Sequence, residues 1–336
     1  MLVWLAFIAL ILFFLALDLG VFHRNAHVVS PREGLAWSIA WMTLACIFAV
    51  FIYFGYEHHW FGLGTAFDAV DRTVNDGSSA VVKYLTGYVV EQSLSVDNMF
   101  VIAMLFRFFA VPAPLQHRVL FWGILGALTL RGVMIAIGAA LVTQFAWVLY
   151  VFGAFLIFTA FKMLFFNAEE SDPSNNVIVK LIRRSWPTTK RYYGERFLIR
   201  RGRKWILTLL ALALVMVETT DVLFAVDSIP AIFAITADPF LVFASNAFAI
   251  LGLRAMYFLL AGAIERFHML KYALALILIF VGLKMAWLND AFGGKFPIEW
   301  SLAVIATLLG GAMVMSWLRQ IGRAHVLTPV TFRNLV

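Results

Sequence analysis

Five carboxylates, Glu91, Asp97, Glu218, Asp221 and Asp227, lie inside stretches hydrophobic enough to cross a bilayer. Ionised groups are costly there and are kept for a purpose. The candidate ligands around them are all hard oxygens: the five carboxylates, the Asn98 and Asn246 amides, the Ser95 and Ser228 hydroxyls, and backbone carbonyls. Such a shell suits Mg²⁺, Ca²⁺ or Mn²⁺, whereas Zn²⁺, Cu⁺ and Ni²⁺ favour the His or Cys missing from these stretches. Arg131 and Arg254 are the basic residues placed at mid-span, so five carboxylates against two guanidiniums leave a formal excess of three negative charges. A dication would offset most of it, and exchange of protons for metal follows as a mechanism.

Spacing adds detail. Glu91, Ser95 and Asn98 follow an i, i+4, i+7 pattern and share a helix face, with Asp97 about 120° away. Glu218, Asp221 and Ala225 share a face, and Asp227 is again displaced. Pro230 cannot donate to residue 226 and disfavours helical geometry at Ile229, which predicts a break freeing carbonyls between Ala225 and Ile229. Unwound carbonyls beside carboxylates are a cation site in other transporters with broken helices.

The elements that must position these groups are membrane helices. With 63% hydrophobic residues, 13% charged residues and a mean hydropathy of +0.90, the chain is an all-α polytopic membrane protein and not a soluble globular one. A net charge of +7 and pI near 9.6 would suggest nucleic acid in a soluble chain; here the basic residues collect in particular loops, so the charge is read as topology, with no nucleic-acid partner. Cys46, the one cysteine, offers neither a disulfide framework nor a thiolate cluster, and its apolar run predicts a buried, inert thiol.

Allowing about 20 apolar residues per span, nine helices begin near Met1, Leu35, Val81, Arg118, Phe145, Trp205, Pro239, Leu270 and Pro297. The connection after the fifth carries Lys180, Arg183, Arg184, Lys190, Arg191, Arg196, Arg200, Arg201, Arg203 and Lys204, which marks it as cytoplasmic. Counting outward places the N-terminus outside and the C-terminus inside. The chain then divides into two N-terminal helices with an acidic outer loop (1–80), three helices (81–166), the basic loop (167–204), three more helices (205–289), a last helix (290–320) and a tail (321–336). The first span is read as a permanent anchor. The tail, with Ile321-Gly-Arg-Ala-His-Val and Thr328-Pro-Val-Thr, resembles read-through of sequencing-adapter DNA and is set aside as artefactual. His58, His59, Asp68, Asp71 and Asp76 are read as a solvated loop.

The two three-helix units resemble one another. Val96-Asp97-Asn98 recurs as Val226-Asp227-Ser228, Ile124-Leu125-Gly126 as Ile250-Leu251-Gly252, Leu130-Arg131 as Leu253-Arg254, and Ile157 to Met163 as Ile279 to Met285. An odd number of helices per unit predicts an inverted three-plus-three repeat, which places a substrate site near the midplane between the units. Lys162 and Lys284 then sit near opposite surfaces, each able to snorkel. The plainer alternative is that the carboxylates pair with Arg131 and Arg254 only to fasten helices; five acids against two arginines weigh against it.

Leu17-Asp-Leu-Gly-Val-Phe-His-Arg24, Leu85-Thr-Gly-Tyr88, Glu91-Gln-Ser-Leu-Ser-Val-Asp-Asn98, Phe152-Gly-Ala-Phe155, the run from Glu218 to Pro230, and Ser245 to Tyr257 resemble the TerC/Alx family of integral membrane proteins, over nearly the whole chain up to about Arg319. The resemblance implies a bacterial cytoplasmic-membrane protein whose relatives include manganese exporters and proteins linked to tellurium resistance, with the family's acidic motif falling on Glu91, Asp97, Glu218, Asp221 and Asp227. Tellurite is an anion, which a net-negative cavity would repel, so any such resistance is read as an indirect result of metal balance.

The leading expectation is therefore a secondary transporter exporting Mn²⁺, with no prosthetic group and no enzymatic activity, and with Ca²⁺/H⁺ exchange as its near variant. An intramembrane aspartyl protease built on Asp97 and Asp227 lacks the expected Gly-x-Gly-Asp motif. The third reading is a membrane-assembly or metal-delivery partner of exported proteins or their secretion machinery, as the resemblance implies for some relatives, docking through Lys180 to Lys204.

Overall fold

The apolar runs become helices whose starts fall close to the expected positions. The computed structural model describes residues 2–17, 31–70, 73–145, 147–165, 181–182, 184–189, 191–202, 204–260, 270–293 and 296–327; Asp18, Arg24, Asp71 and the tail beyond 327 lie outside them. The principal helices among the described residues are α1 (Leu2–Leu17), α2 (Pro31–Glu57), α3 (Gly77–Phe108), α4 (Ala113–Gln144), α5 (Val148–Phe165), α6 (Leu209–Phe233), α7 (Pro239–Leu260), α8 (Leu270–Leu283) and α9 (Ile298–Leu327). Eight of these nine are long and apolar enough to cross a membrane; α1, at 16 residues, is shorter.

Helix α7 is the hub. Its apolar window is 89% buried, as expected of a helix that is hydrophobic all round. Helix α1 turns a stripe of Val3, Phe7, Ile11 and Leu15 inward, and Trp4 and Phe7 meet Phe240 at ring separations of 5.5 and 5.4 Å. Phe48 of α2 lies 4.7 Å from Phe248. Helix α3 packs on α2, α6 and α7, α4 packs on α6 and α7, and α5 packs on α8. Gly153 and Gly282 let α5 and α8 touch backbone to backbone: a Cβ on Gly282 would stand 2.7 Å from the Gly153 carbonyl oxygen, so only glycine permits this approach.

Several expectations are corrected. Helix α6 runs through Pro230 and ends at Phe233, so there is no break between Ala225 and Ile229. A proline so near a helix end forfeits one bond to residue 226, and the packing of fully buried Ala231, Ile232 and Phe233 holds the turn in place. Cys46 is exposed on α2. Lys284 does not snorkel; its side chain is buried at the start of a π-helical turn, Lys284–Leu288, that continues α8, while Lys162 is exposed.

Among the described residues, two small antiparallel hairpins interrupt the helices: β1 (Phe67–Asp68) with β2 (Thr73–Val74), and β3 (Leu198–Arg201) with β4 (Lys204–Leu207). The first overturns the reading of a solvated loop at Asp68. Asp68 is 1% exposed and accepts from Lys83 Nζ at 2.8 Å, the Thr236 hydroxyl at 2.6 Å and the Ala237 amide at 2.9 Å. Burial pushes its carboxyl up, but the Lys83 ammonium and these donors outweigh it and hold the group below the usual carboxylate range. Nearby Asp238 accepts from the Tyr56 hydroxyl at 2.8 Å and the Phe240 amide at 3.0 Å; burial prevails there and its carboxyl is raised. His58 and His59 are exposed, and exposed Asp76 caps α3 by accepting from the Ser79 amide at 2.7 Å.

Candidate functional site

Four helices contribute one polar residue each, near their midpoints, to a single knot. Arg131 of α4 grips Asp221 of α6 with a two-pronged fork, Nε to Oδ2 at 3.1 Å and Nη2 to Oδ1 at 2.7 Å. Its Nη1 bonds Glu91 Oε1 of α3 and lies 3.3 Å from Asn246 Oδ1 of α7. The Asn246 amide closes the ring by donating to Glu91 Oε2 at 3.2 Å. Glu91, Arg131 and Asn246 are at most 1% exposed and Asp221 is 9% exposed, so the ion pairs sit in a low dielectric where geometry of this quality is required. Two carboxylates and one guanidinium leave a formal charge of −1 at the centre of the bundle.

Among the described side chains, the other expected site residues take no part in the hydrogen bonds of this knot. Glu218, one turn before Asp221, packs against Gly126 of α4; a Cβ there would meet Glu218 Oε1 at 2.0 Å, so the missing side chain at Gly126 makes room for the carboxylate. Asp227 Oδ1 accepts from the Thr159 hydroxyl of α5 at 3.2 Å. Arg254 is 4% exposed. Asp97 lies on α3, but its side chain falls outside the described residues. Among the described residues no three His, Cys, Asp or Glu side chains converge as a metal cage.

The two acidic helices carry buried oxygens that find no hydrogen-bond partner among the described residues: Gln92 Oε1, Ser95 Oγ and Asn98 Oδ1 on α3, and Glu218 Oε2 and Ser228 Oγ on α6. Each such atom carries a desolvation cost of about 1–3 kcal/mol. Ser95, Asn98 and Ser228 were legible as candidates from spacing; Gln92 and the cradle at Gly126 were not, because neither glutamine nor glycine is a conspicuous ligand signal. The donor set is hard oxygen throughout, with net negative charge, which fits a hard cation and repels an anion.

The profile of the integral membrane protein TerC family matches residues 76–323, a span that contains every residue of the knot and every orphaned oxygen. The chain belongs to the TerC family. Its TerC relatives cover nearly its full length: an uncharacterized membrane protein of Myxococcus xanthus is 46% identical over 318 residues, spanning 94% of this chain and 92% of the relative. A protein of Escherichia coli strain K12 named "Putative membrane-bound redox modulator Alx" is 46% identical over 309 residues, 92% of each chain. A membrane protein of Rickettsia bellii is 40% identical over 306 residues, 91% of this chain and 94% of the relative. No solved structure matches the chain. This TerC protein is thus a multi-pass integral membrane protein whose buried polar centre lies within the family segment.

Proposed function

We propose that this protein is a secondary transporter of the bacterial cytoplasmic membrane that exports a hard divalent cation, foremost Mn²⁺, in exchange for protons. The observation that carries the reading is the mid-span knot of Glu91, Arg131, Asp221 and Asn246, with further buried oxygens on α3 and α6 that find no partner among the described residues. In the metal-free state Arg131 serves as a tethered cation for Glu91 and Asp221. An entering dication would be recruited by Glu218, Asp227 and Asp97 and completed by the Ser95, Asn98 and Ser228 oxygens, competing with Arg131 for the two buried carboxylates. The fastening alternative accounts for Glu91 and Asp221, which Arg131 already pairs; it gives Glu218 and Asp227 no task.

An inverted repeat supplies the two states such a carrier needs. The packing supports it: α3 rests on α6, α4 on α7 and α5 on α8, while the α3–α7 contact is matched by an α4–α6 contact, the set that exchange of the two units would leave unchanged. An inside-negative potential opposes cation export by about 2.3 kcal/mol per charge per 100 mV, which favours proton exchange over uniport. With one cysteine the chain itself holds no dithiol couple, so a redox effect of the kind the Alx name records would be reached through cellular metal content.

The test is metal flux in proteoliposomes for wild type, Asp97→Asn and Asp227→Asn, with Mn²⁺ and Ca²⁺ and a transmembrane pH gradient. Mn²⁺ flux that responds to the gradient and is abolished by both substitutions is expected. Folded wild-type protein that moves no divalent cation would overturn the reading and favour the assembly partner. A finer check is Gly126→Ala, whose Cβ must push the Glu218 carboxylate aside: the fold should melt within about 1 kcal/mol of wild type, since the displaced atom ends a flexible side chain, while stabilisation of the melt by Mn²⁺ should fall.

A further inference from the structure

The two hairpins occupy matching places. Two residues separate β2 from α3 and one separates β4 from α6, and both are antiparallel pairs. Each leads into a side-chain cap on its helix, Asp76 accepting from the Ser79 amide and Thr208 from the Ala211 amide. Each is also tied to its own unit. Asp68 of β1 pairs with Lys83 of α3; the Thr208 hydroxyl at the start of α6 donates to the Arg196 carbonyl at 2.8 Å, just before β3.

Each also makes bonds that cross to the opposite unit, and to the same place in it. Asp68 accepts from Thr236 and Ala237, which form the turn between α6 and α7. The segment leading into β3 donates from the Tyr192 hydroxyl to the Phe109 carbonyl at 2.6 Å, in the turn between α3 and α4. Beside it, Glu195 pairs with Arg118 of α4, whose guanidinium lies 5.7 Å from the Phe197 ring centre. Each hairpin is therefore fixed to one unit and fastened to the first turn of the other.

We propose that these hairpins are a pair of repeat-related straps that close opposite ends of the protein, the Asp68 strap one end and the Tyr192–Glu195 strap the other. This rests on the carrier reading above and says which bonds must break for each end to open: those to Thr236 and Ala237, or those to Phe109 and Arg118. Rocking of one unit against the other carries each hairpin along with its own helix, so the bonds that yield are those between units. The straps are unequal. Asp68 is sealed from water, whereas Arg118 and Glu195 are 42% and 59% exposed, and an exposed pair is screened and weak. A cavity of about 450 Å³, lined by Phe106, Arg107, Ala110, Gln116 and Tyr257 among others, lies at this α3–α4 turn. The Tyr192 end is the one that opens more readily.

The test uses full-length protein reconstituted in one orientation, carrying Cys46→Ser and a single reporter, Ser228→Cys, labelled by a membrane-impermeant maleimide applied from either side without metal. Thr236→Val removes a cross-unit bond and leaves the Asp68–Lys83 anchor; it should speed labelling from one side only. Tyr192→Phe should do so from the other side only. Loss of one hydrogen bond sets the expected acceleration at about two- to tenfold, and Thr236→Ser, which keeps the hydroxyl, should return the wild-type rate. Equal acceleration from both sides, or none in variants that still melt cooperatively, would overturn the straps. One-sided labelling, with no Mn²⁺ flux from the parent protein that keeps Ser228, would keep the straps and remove the Mn²⁺ reading; flux from that parent without any one-sided response would do the reverse.

Discussion

Arg131→Met should lower the stability of the detergent-solubilised protein by about 3–5 kcal/mol, the cost of leaving buried charges without their partner. The substitution keeps much of the side chain's volume, so a cavity contributes little. What it removes is the fork on Asp221 and the bond to Glu91, leaving two buried carboxylates without the guanidinium that pairs them. The measurement is a thermal melt followed by circular dichroism, and the control is the neutral triple variant Arg131→Met, Glu91→Gln, Asp221→Asn. Neutral groups of the same shape need no counter-charge, so the triple should recover most of the loss. It also separates two roles of one cluster: the triple should stay folded yet show no Mn²⁺-dependent rise in melting temperature. Arg131→Met melting like wild type would mean that the carboxylates are already protonated or hydrated, and the knot would no longer explain how α3, α4, α6 and α7 are held.

Much of this architecture was readable because a membrane span is a strong signal: a long apolar run starts where polar residues stop, and α7 and α9 begin at Pro239 and Ile298, at or next to the expected Pro239 and Pro297. The acidic residues were legible for the same reason, since ionised groups stand out against hydrocarbon. Partner choice was not. Arg131 was recognised as a mid-span cation, but its fork on Asp221 depends on the rotation of α4 against α6, which no spacing within either helix specifies. The Pro230 break failed because the local rule met tertiary packing: one forfeited bond costs less than unwinding a turn whose residues are wholly buried. The hairpins escaped notice because strands of two to four residues carry almost no periodicity. Asp68 was misread for a related reason. A polar residue in a polar loop looks solvated until a lysine from the next helix and the turn at Thr236 reach it, and those contacts span up to 169 positions of sequence.

Lys83→Met should cost a similar amount, about 3–5 kcal/mol near neutral pH, and its pH dependence should run opposite to that of wild type. In the native protein the Asp68 carboxyl is depressed, so its contribution is complete above the unfolded carboxylate value near pH 4 and is lost as pH falls through the lower folded value. Once the ammonium is gone, burial becomes the prevailing influence on Asp68, as it already is on Asp238, and the folded value moves above the unfolded one. A group raised in this way contributes stability in acid and loses it as pH rises through its folded value. Thermal midpoints of the two proteins should therefore converge as pH is lowered from about 7 toward 4 and diverge again above it. Lys83→Met combined with Asp68→Asn should abolish that divergence while recovering part of the stability, because the amide oxygen can still accept from Ala237 while its NH2 donates to the Thr236 hydroxyl oxygen. A constant gap at every pH would show that Lys83 contributes packing and not charge, since the buried stem of a lysine stabilises its surroundings independently of protonation at Asp68.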